Sequence, residues 1–201
     1  MADLSEPFTA IEYWKKRLKR QGRDYVSRGG KTSIHQVKRL SPLIVKTLGS
    51  QLFNHGLDFG CGWGRFIRHM AARCRRVLGV DLVSNFMPKE RRPKNVRFAK
   101  VGYPTKVPLP TDHVDLVFLI TVLQHITGDR WFDDVTCELR RVMAPGAHVL
   151  VVDDMTATAN HVRPRSEEEI VSKLGLVKYT SREITIDNNA KHQLIYGSTE
   201  R

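Results

Sequence analysis

The stretch LDFGCGWGRF, residues 57–66, constrains the fold of this chain more than any other segment. Three glycines, Gly60, Gly62 and Gly64, stand there at alternate positions behind an apolar run. Glycine loses more backbone freedom on folding than any other residue, so this spacing indicates a turn that requires a bare backbone. The apolar run predicts a strand before the turn, and apolar residues at helical spacing predict a helix over 63–74 after it.

Strands and helices continue to alternate along the chain. A helix over 131–146 is predicted to end at Pro145 and Gly146. Four further apolar segments are predicted as strands, at 75–81, 95–101, 114–123 and 147–154. Strands that alternate with helices in this way favour a parallel sheet covered by helices.

The amino end of the chain is predicted to be helical. An amphipathic helix is expected over 7–18, and a second helix is expected to begin at an N-cap, Ser33, and to end before Gly49. We therefore divide the single domain into an N-terminal helical lid, residues 1–50, and a core, residues 51–201.

The carboxyl end is predicted to add a hairpin to the sheet. Ser166 is expected to cap a short helix. Residues 176–186 and 191–197 then form two extended segments, joined by the turn-forming sequence DNN at 187–189. The predicted fold class is α/β, with a doubly wound, mostly parallel seven-stranded sheet that finishes in an antiparallel hairpin.

An acidic residue at the end of the second predicted strand indicates a nucleoside ligand. Ligands of open parallel sheets bind beyond the carboxyl ends of the strands. Asp81 lies there, 17 residues past Gly64. An acid about 20 residues beyond a glycine turn is where nucleotide sites bind a ribose hydroxyl.

The spacing of the glycines decides which nucleoside ligand fits. The dinucleotide fingerprint is GxGxxG, whereas this chain has GxGxG with Asp58 directly before the turn. A carboxylate beside the turn would repel a pyrophosphate and attract an ammonium group. A ribose at Asp81 and an amino-acid ammonium near Asp58 describe S-adenosylmethionine (SAM).

Four segments of the chain carry a resemblance to a known family. They are LDFGCGWGR at 57–65, VLGVDLV at 77–83, VPLPTDHVDLVFLITVLQHI at 107–126 and ELRRVMAPGAHVLVVD at 138–153. In this order and spacing they resemble the class I SAM-dependent methyltransferases, which have a Rossmann-like fold. The resemblance implies SAM as cofactor, with contacts from Asp58, Gly60, Cys61, Gly62, Gly64, Asp81, Leu82, Gly102, Tyr103 and Thr121.

The chain departs from the family after its third strand. The family usually has an acid there that contacts the adenine amine, but this chain has Gly102 and Tyr103. Adenine recognition is therefore expected to rest on backbone groups or on Tyr103.

The residue placed by the resemblance on the acceptor side of the pocket is His125. Histidine can take a proton near neutral pH, so His125 is the candidate catalytic base, with packing under the lid as an equal alternative. Asp153 and Asp154 are expected to anchor loops. Cys61 is expected to pack rather than to act as a nucleophile.

Some acceptors are disfavoured by residues the chain lacks. The fourth strand is followed neither by an Asn/Asp-Pro-Pro-Tyr segment, as in exocyclic-amine methyltransferases, nor by a Pro-Cys pair for attack on cytosine carbon. An oxygen or nitrogen of another kind of acceptor remains.

The net charge of +12 is concentrated in two segments. Residues 15–39 carry +9 and residues 89–106 carry +6, which leaves −3 for the rest. RNA or DNA, a phosphorylated small molecule and a merely solvated face are all compatible with this pattern. We rank a small molecule, which can be anionic, first. A nucleic-acid methyltransferase that uses the basic lid and a non-catalytic SAM-binding protein remain alternatives.

Composition limits the setting of the protein. The apolar run 116–123 is too short to span a bilayer, and the amino terminus lacks the features of a secretory signal. Three cysteines without CxxC spacing indicate neither a disulfide framework nor a zinc site. We therefore expect a cytoplasmic protein with no membrane or metal partner, and the sequence predicts no oligomeric state.

Overall fold

Seven strands form one sheet in the computed structural model, which describes residues 7–22, 30–84, 86–156, 159–186 and 191–200. The sheet has the order β3-β2-β1-β4-β5-β7-β6. Its strands are β1 (Phe53–Phe59), β2 (Cys74–Asp81), β3 (Val96–Lys100), β4 (Val114–Ile120), β5 (Met143–Asp154), β6 (Leu176–Thr185) and β7 (Lys191–Thr199). Strands β1 to β5 are parallel, and β7 is antiparallel to both β5 and β6. The predicted fold class is confirmed.

Five α-helices accompany the sheet in the described residues: α1 (Pro7–Gln21), α2 (Gly30–Leu48), α3 (Ile67–Ala71), α4 (Asp129–Val142) and α5 (Glu167–Leu174). The predicted cap of α5 is confirmed, because the Ser166 side chain accepts a hydrogen bond from the backbone N–H of Glu169 at 3.1 Å. The predicted turn at 187–189 lies outside the described residues.

Three predicted helix boundaries are wrong. The helix after the glycine turn is confined to α3, because the turn continues to Phe66 and β2 already begins at Cys74. Helix α4 ends at Val142 rather than at Pro145 and Gly146, because Met143 pairs with Val114 of β4 and extends β5. Helix α2 begins at Gly30, so that Ser33 lies inside it.

The core has two layers, one on each face of the sheet. One layer includes Phe132 and Leu139 of α4, packed with Val117 and Leu119 of β4. The other includes Leu40 and Ile44 of α2 and Phe118 of β4. Helix α2 therefore belongs to the core packing. No helix of the described residues has the length and apolar composition that crossing a bilayer requires.

Candidate cofactor and acceptor site

The glycine turn follows β1 at the carboxyl edge of the sheet. Gly60, Gly62 and Gly64 have φ values of 71°, 54° and 82°, which L side chains rarely adopt. A Cβ on Gly60 would also lie 2.2 Å from Cγ2 of Val122. Two features therefore require glycine at position 60: the positive φ of the turn and the close packing of Val122, which follows β4.

Asp81 holds the turn in place. Its Oδ2 accepts a hydrogen bond from the Gly62 N–H at 2.7 Å, and its Oδ1 accepts one from the Val83 N–H at 3.0 Å. Burial raises the pKa of Asp81 to about 6, although these backbone donors and Arg65 favour its charged form. Each oxygen keeps a second lone pair that can accept from a hydroxyl.

Asp58 lies beneath the turn, 4% exposed. Burial raises its pKa to about 7, opposed by the nearby guanidinium of Arg65 and reinforced by the charge of Asp81. The Arg65 Nη2 donates to Thr121 Oγ1 at 3.0 Å, which joins the turn to the end of β4. Thr121 itself has a positive φ of 55°, an uncommon conformation for a residue other than glycine.

A cavity opens above these groups, between the carboxyl ends of the strands and α1. Five of the predicted site residues line it: Gly60, Asp81, Leu82, Thr121 and His125. The structure does not bring the other six to its wall, namely Asp58, Cys61, Gly62, Gly64, Gly102 and Tyr103.

Cys61 and Tyr103 have packing contacts instead. Cys61 is buried and its Sγ lies 3.6 Å from the Gly62 carbonyl oxygen. Burial raises the pKa of its thiol, which disfavours a thiolate. The Tyr103 ring meets the ring of Phe8 edge-on at 5.9 Å between centroids, so it packs against α1.

His125 lies in a short 3₁₀ turn, Leu123–His125, that follows β4. Its Nδ1 donates to the carbonyl oxygen of His161 at 3.0 Å, since a carbonyl can only accept. Burial is the main cause that lowers the pKa of His125 to about 4, and positive charge on His161, Arg17 and Arg65 lowers it further. The imidazole is therefore neutral near pH 7.

Aromatic contacts connect α1 to the rings beyond the strand ends. The ring of Trp14 meets that of His125 edge-on at 4.8 Å between centroids. His161 stacks on His125 at 5.5 Å and on Tyr13 at 5.3 Å. Arg17 donates to the Tyr13 hydroxyl at 2.7 Å. We call Tyr13, Trp14, Arg17, His125 and His161 the lid cluster.

The expectation that Asp153 and Asp154 anchor loops agrees with the surroundings of Asp154. The surroundings of Asp153 do not decide it: the carboxyl is buried beside the backbone of Val122, Leu123 and Gln124, and burial raises its pKa, but neither oxygen has a hydrogen-bond partner among the described residues. The Oδ1 of Asp154 accepts from the Thr156 N–H at 2.8 Å.

Comparison with known proteins identifies the domain. The family described as "Methyltransferase domain" matches residues 57–151, which span β1 to β5 and contain the glycine turn, Asp81 and His125. This match covers a little under half of the chain and agrees with the resemblance to class I SAM-dependent methyltransferases. The cofactor of these domains is S-adenosylmethionine.

Curated relatives match the methyltransferase domain over part of their length. The chain is 33% identical over 97 residues to malonyl-[acyl-carrier protein] O-methyltransferase from Serratia marcescens, covering 47% of this chain and 36% of that protein. The protein of the same name from Yersinia pestis is 30% identical over 97 residues, covering 47% and 34%. The chain thus matches about a third of the length of these relatives.

Solved methyltransferase structures share the fold at low identity. The N-methyltransferase NodS from Bradyrhizobium japonicum, in complex with S-adenosylhomocysteine (SAH), superposes with a TM-score of 0.74 and 16% identity over 94% of this chain and 100% of that chain. The 1,6-didemethyltoxoflavin-N1-methyltransferase from Burkholderia thailandensis gives a TM-score of 0.74 and 16% identity over 100% and 93%.

The residues around the cavity of the methyltransferase domain fit a nucleoside. Two buried polar atoms of wall residues, Trp131 Nε1 and Thr105 Oγ1, have no hydrogen-bond partner among the described residues. Unpaired buried donors are costly, so they suit a ligand that supplies acceptors. The cavity holds about 70 Å³ with α1 in place. Ligand pockets measure roughly 300–1,000 Å³, so the cavity is narrower than such pockets, and Trp14 of α1 is part of its wall.

Sequence reasoning missed several wall residues of this domain. Thr105 lies in the loop after β3 and Trp131 on α4, where no local pattern distinguishes them from loop and core residues. His161 belongs to a loop beyond β5 and reaches His125 only through the tertiary fold. Tyr13 and Trp14 of α1, in contrast, can be recognised in the sequence, because they lie in an amphipathic helical pattern that is otherwise rich in charged residues.

Proposed function

We propose that this chain transfers the methyl group of SAM to an oxygen or nitrogen of a small, anionic molecule. The observation that carries the proposal is that Gly60, Asp81, Thr121 and His125 line the same cavity. SAM supplies a methyl group activated by a sulfonium charge. Transfer is an in-line displacement, so alignment of the two partners in a closed site gives much of the acceleration.

In this proposal the cofactor lies along the carboxyl edge of the sheet. Asp81 accepts from the ribose hydroxyls, and its bonds to the turn keep the carboxylate oriented. The ammonium of the amino-acid portion lies near Asp58, whose carboxylate it would stabilise.

The adenine then lies between Leu82 and α4. Leu82 and Val101 supply apolar wall, and Trp131 Nε1 and Thr105 Oγ1 point to hydrogen bonds with ring nitrogens or the exocyclic amine. These two side chains would replace the acid that the family usually has after its third strand. Gly102 and Tyr103, which the resemblance suggested, stay secondary candidates.

Charge around His125 favours an anionic acceptor. Arg17, Arg65 and His161 lie near the His125 ring and all lower its pKa, and Asp81 lies on the same cavity wall. An anion beside these groups gains Coulomb energy in a site that excludes water. A carboxylate acceptor would need no base at all, since it has already lost its proton at neutral pH.

The role of His125 depends on the acceptor. Its Nδ1 carries the proton bound to the His161 carbonyl, so Nε2 has the lone pair; the Gln124 amide nitrogen lies 3.5 Å from it, and an acceptor hydroxyl or ammonium would replace this weak contact. The low pKa of His125, about 4, makes it a weak base. We therefore propose that His125 orients the acceptor and takes a proton only from an acceptor whose acidity rises as the methyl bond forms.

The names of relatives are compatible with either accepting atom. The curated relatives are named as O-methyltransferases of malonyl-[acyl-carrier protein], whereas the solved relatives include N-methyltransferases. A carboxylate oxygen is our first candidate for two reasons. Its negative charge suits the positively charged groups near His125, and it needs no base because it is already ionised at neutral pH.

The decisive experiment is an activity screen with methyl-labelled SAM. Small carboxylic acids, a metabolite extract, total RNA and DNA are offered separately to the full chain. Label in the acid or metabolite fraction supports the proposal. Label only in nucleic acid contradicts it in favour of the nucleic-acid alternative, and SAM binding without any transfer favours the non-catalytic alternative.

Calorimetry with SAH tests the cofactor site independently of the acceptor. Asp81→Ala removes the ribose acceptor and is expected to weaken SAH binding by at least about tenfold, as for a hydrogen bond to a charged group. Equal affinity of the variant and the parent protein would overturn the ribose assignment. Thermal unfolding of the free variant shows whether the loss of the Gly62 contact has disturbed the turn.

A further inference from the structure

A basic groove lies at the edge of the sheet opposite the methyltransferase site. It is formed where β1, β2, β3 and β4 begin, and it has a volume of about 610 Å³. Parallel strands are usually connected by a helix that packs on the sheet. The connection from β3 to β4, residues 101–113, contains no helix, so the start of these strands stays uncovered.

Four cationic side chains line this groove: Arg75, Arg76, Lys94 and Arg97. All four are exposed, and none has an ion pair or side-chain hydrogen bond with another described residue. Mutual repulsion between them therefore stays uncompensated in the free protein. This distinguishes them from Lys173 and Arg141, which pair with Asp133 and Glu138.

Strand pairing brings these charges together. Arg76 lies opposite His55 in the register of β1 and β2, and Arg97 lies opposite Leu78 in the register of β2 and β3. Neighbouring strands are about 4.8 Å apart, so Arg76 and Arg97 extend from adjacent parts of one surface. Lys94 lies two residues before the start of β3.

Two histidines complete the wall of the groove. The rings of His55 and His113 are stacked with centroids 4.2 Å apart. Burial lowers the pKa of His55, and His113, Arg76 and Arg75 lower it further, whereas Asp115 opposes them. The Asp115 carboxylate accepts from the backbone N–H groups of Asn54 and His55, both at 2.8 Å. Asp115 therefore supports the backbone as well as opposing the positive charge near His55.

We propose that this groove binds closely spaced phosphate groups, as a docking site separate from methyl transfer. Three of its four cations are arginines, whose planar guanidinium binds phosphate oxygens through paired hydrogen bonds. Gly56 of the groove and Phe59 of the cofactor cavity are three residues apart on β1, so the walls of the two sites are separated by about 10 Å along the strand. A phosphate chain in the groove holds its bearer to the protein and leaves the acceptor cavity open.

This location changes the meaning of the second basic segment. Lys94 and Arg97 belong to residues 89–106, the second of the two segments that carry the net positive charge. In the fold they face the opposite edge of the sheet. The charge of this segment therefore argues for a docked polyanion rather than for a nucleic-acid strand threaded past the methyl group.

The test measures binding of two probes to the full chain. One is inorganic tripolyphosphate, followed by calorimetry, and the other is a fluorescein-labelled single-stranded oligonucleotide, followed by anisotropy at two salt concentrations. The groove variant combines Arg76→Glu and Arg97→Glu. The matched control combines Lys178→Glu and Arg182→Glu, which change the net charge equally on the exposed strand β6.

We expect the groove variant to bind tripolyphosphate at least about tenfold more weakly than the parent chain. The slope of its log binding constant against log salt concentration should correspond to about two fewer phosphate contacts. The control should stay within about twofold of the parent chain, and SAH affinity should be the same in all three proteins. Binding of tripolyphosphate supports the proposal, whereas binding of the oligonucleotide alone contradicts it in favour of a nucleic-acid strand. Absence of binding to both probes, or equal losses in the two variants, would overturn the proposal.

Discussion

Binding of SAM or SAH should release a proton from Asp58. This carboxyl is 4% exposed, and burial raises its pKa to about 7. At pH 7 it is therefore about half protonated in the free protein. A ligand ammonium nearby favours the carboxylate, because opposite charges within about 4–6 Å lower the pKa of an acid. Binding would then expel the proton that remains.

The number of released protons depends on pH in a predictable way. A group with a pKa of about 7 that becomes fully ionised releases about 0.9 proton at pH 6, about 0.5 at pH 7 and about 0.1 at pH 8. Asp81, with a pKa of about 6, adds about 0.5 proton at pH 6 but only about 0.1 at pH 7. A measurement at pH 7 therefore reports mainly on Asp58.

Calorimetric titration with SAH in phosphate and in Tris gives this number directly. The two buffers have different ionisation enthalpies, so a released proton makes the observed heats differ. Asp58→Asn keeps the size of the side chain and removes the titrating group, and its heats should agree between buffers to within the small contribution of Asp81. Equal heats for the unmodified chain at pH 7 would refute the placement of the ammonium near Asp58.

Four further results are expected. Because the folded-state pKa of Asp58 exceeds its ordinary value, the fold binds a proton that the unfolded chain has lost, so stability should fall as pH rises from about 4 to 7; Asp58→Asn should flatten this dependence in urea unfolding, and an unchanged slope would contradict it. Trp131→Phe should weaken SAH binding by about threefold to tenfold, because the unpartnered indole N–H is lost; thermal unfolding measures the separate cost of shortening a side chain that is 3% exposed, and unchanged affinity in calorimetry removes Trp131 from the adenine contacts. His125→Ala should lower kcat by about tenfold or more and SAH affinity much less, whereas an intact kcat and pH profile would leave His125 with packing alone. Arg165→Met should destabilise the fold by about 2–4 kcal/mol in urea unfolding, because the side chain is 1% exposed and donates to the Ile126 carbonyl at 3.0 Å; a change below about 0.5 kcal/mol would contradict this.

The sequence predicted those parts of the fold and site that depend on local patterns. The glycine turn and the acid that ends β2 could be recognised because backbone conformation and strand-end chemistry restrict residue type over a few positions. The family resemblance added His125. The sheet order then brought Asp81, Thr121 and His125 to one cavity, although they lie up to 44 positions apart.

The remainder depends on contacts between distant segments. Pro145 and Gly146 are ordinary signals for the end of a helix, yet both lie in β5, because Met143 already pairs with Val114 of β4. Thr105 and Trp131 become site residues only because the loop after β3 packs against α4, where the Thr105 N–H donates to Asp134 at 2.8 Å. The basic groove, likewise, is open because the connection from β3 to β4 contains no helix. The sequence locates its positive charges along the chain but does not show which edge of the sheet they face.

The lid cluster has a kinetic consequence. Trp14 is part of the wall of a cavity of about 70 Å³, and its contacts with His125 and His161 would separate if the cofactor entered past α1. Each aromatic pair contributes about 0.5–1.5 kcal/mol beyond its buried area, so two such pairs would slow this opening by roughly 5-fold to 150-fold. The same contacts would slow the release of spent cofactor by the same factor.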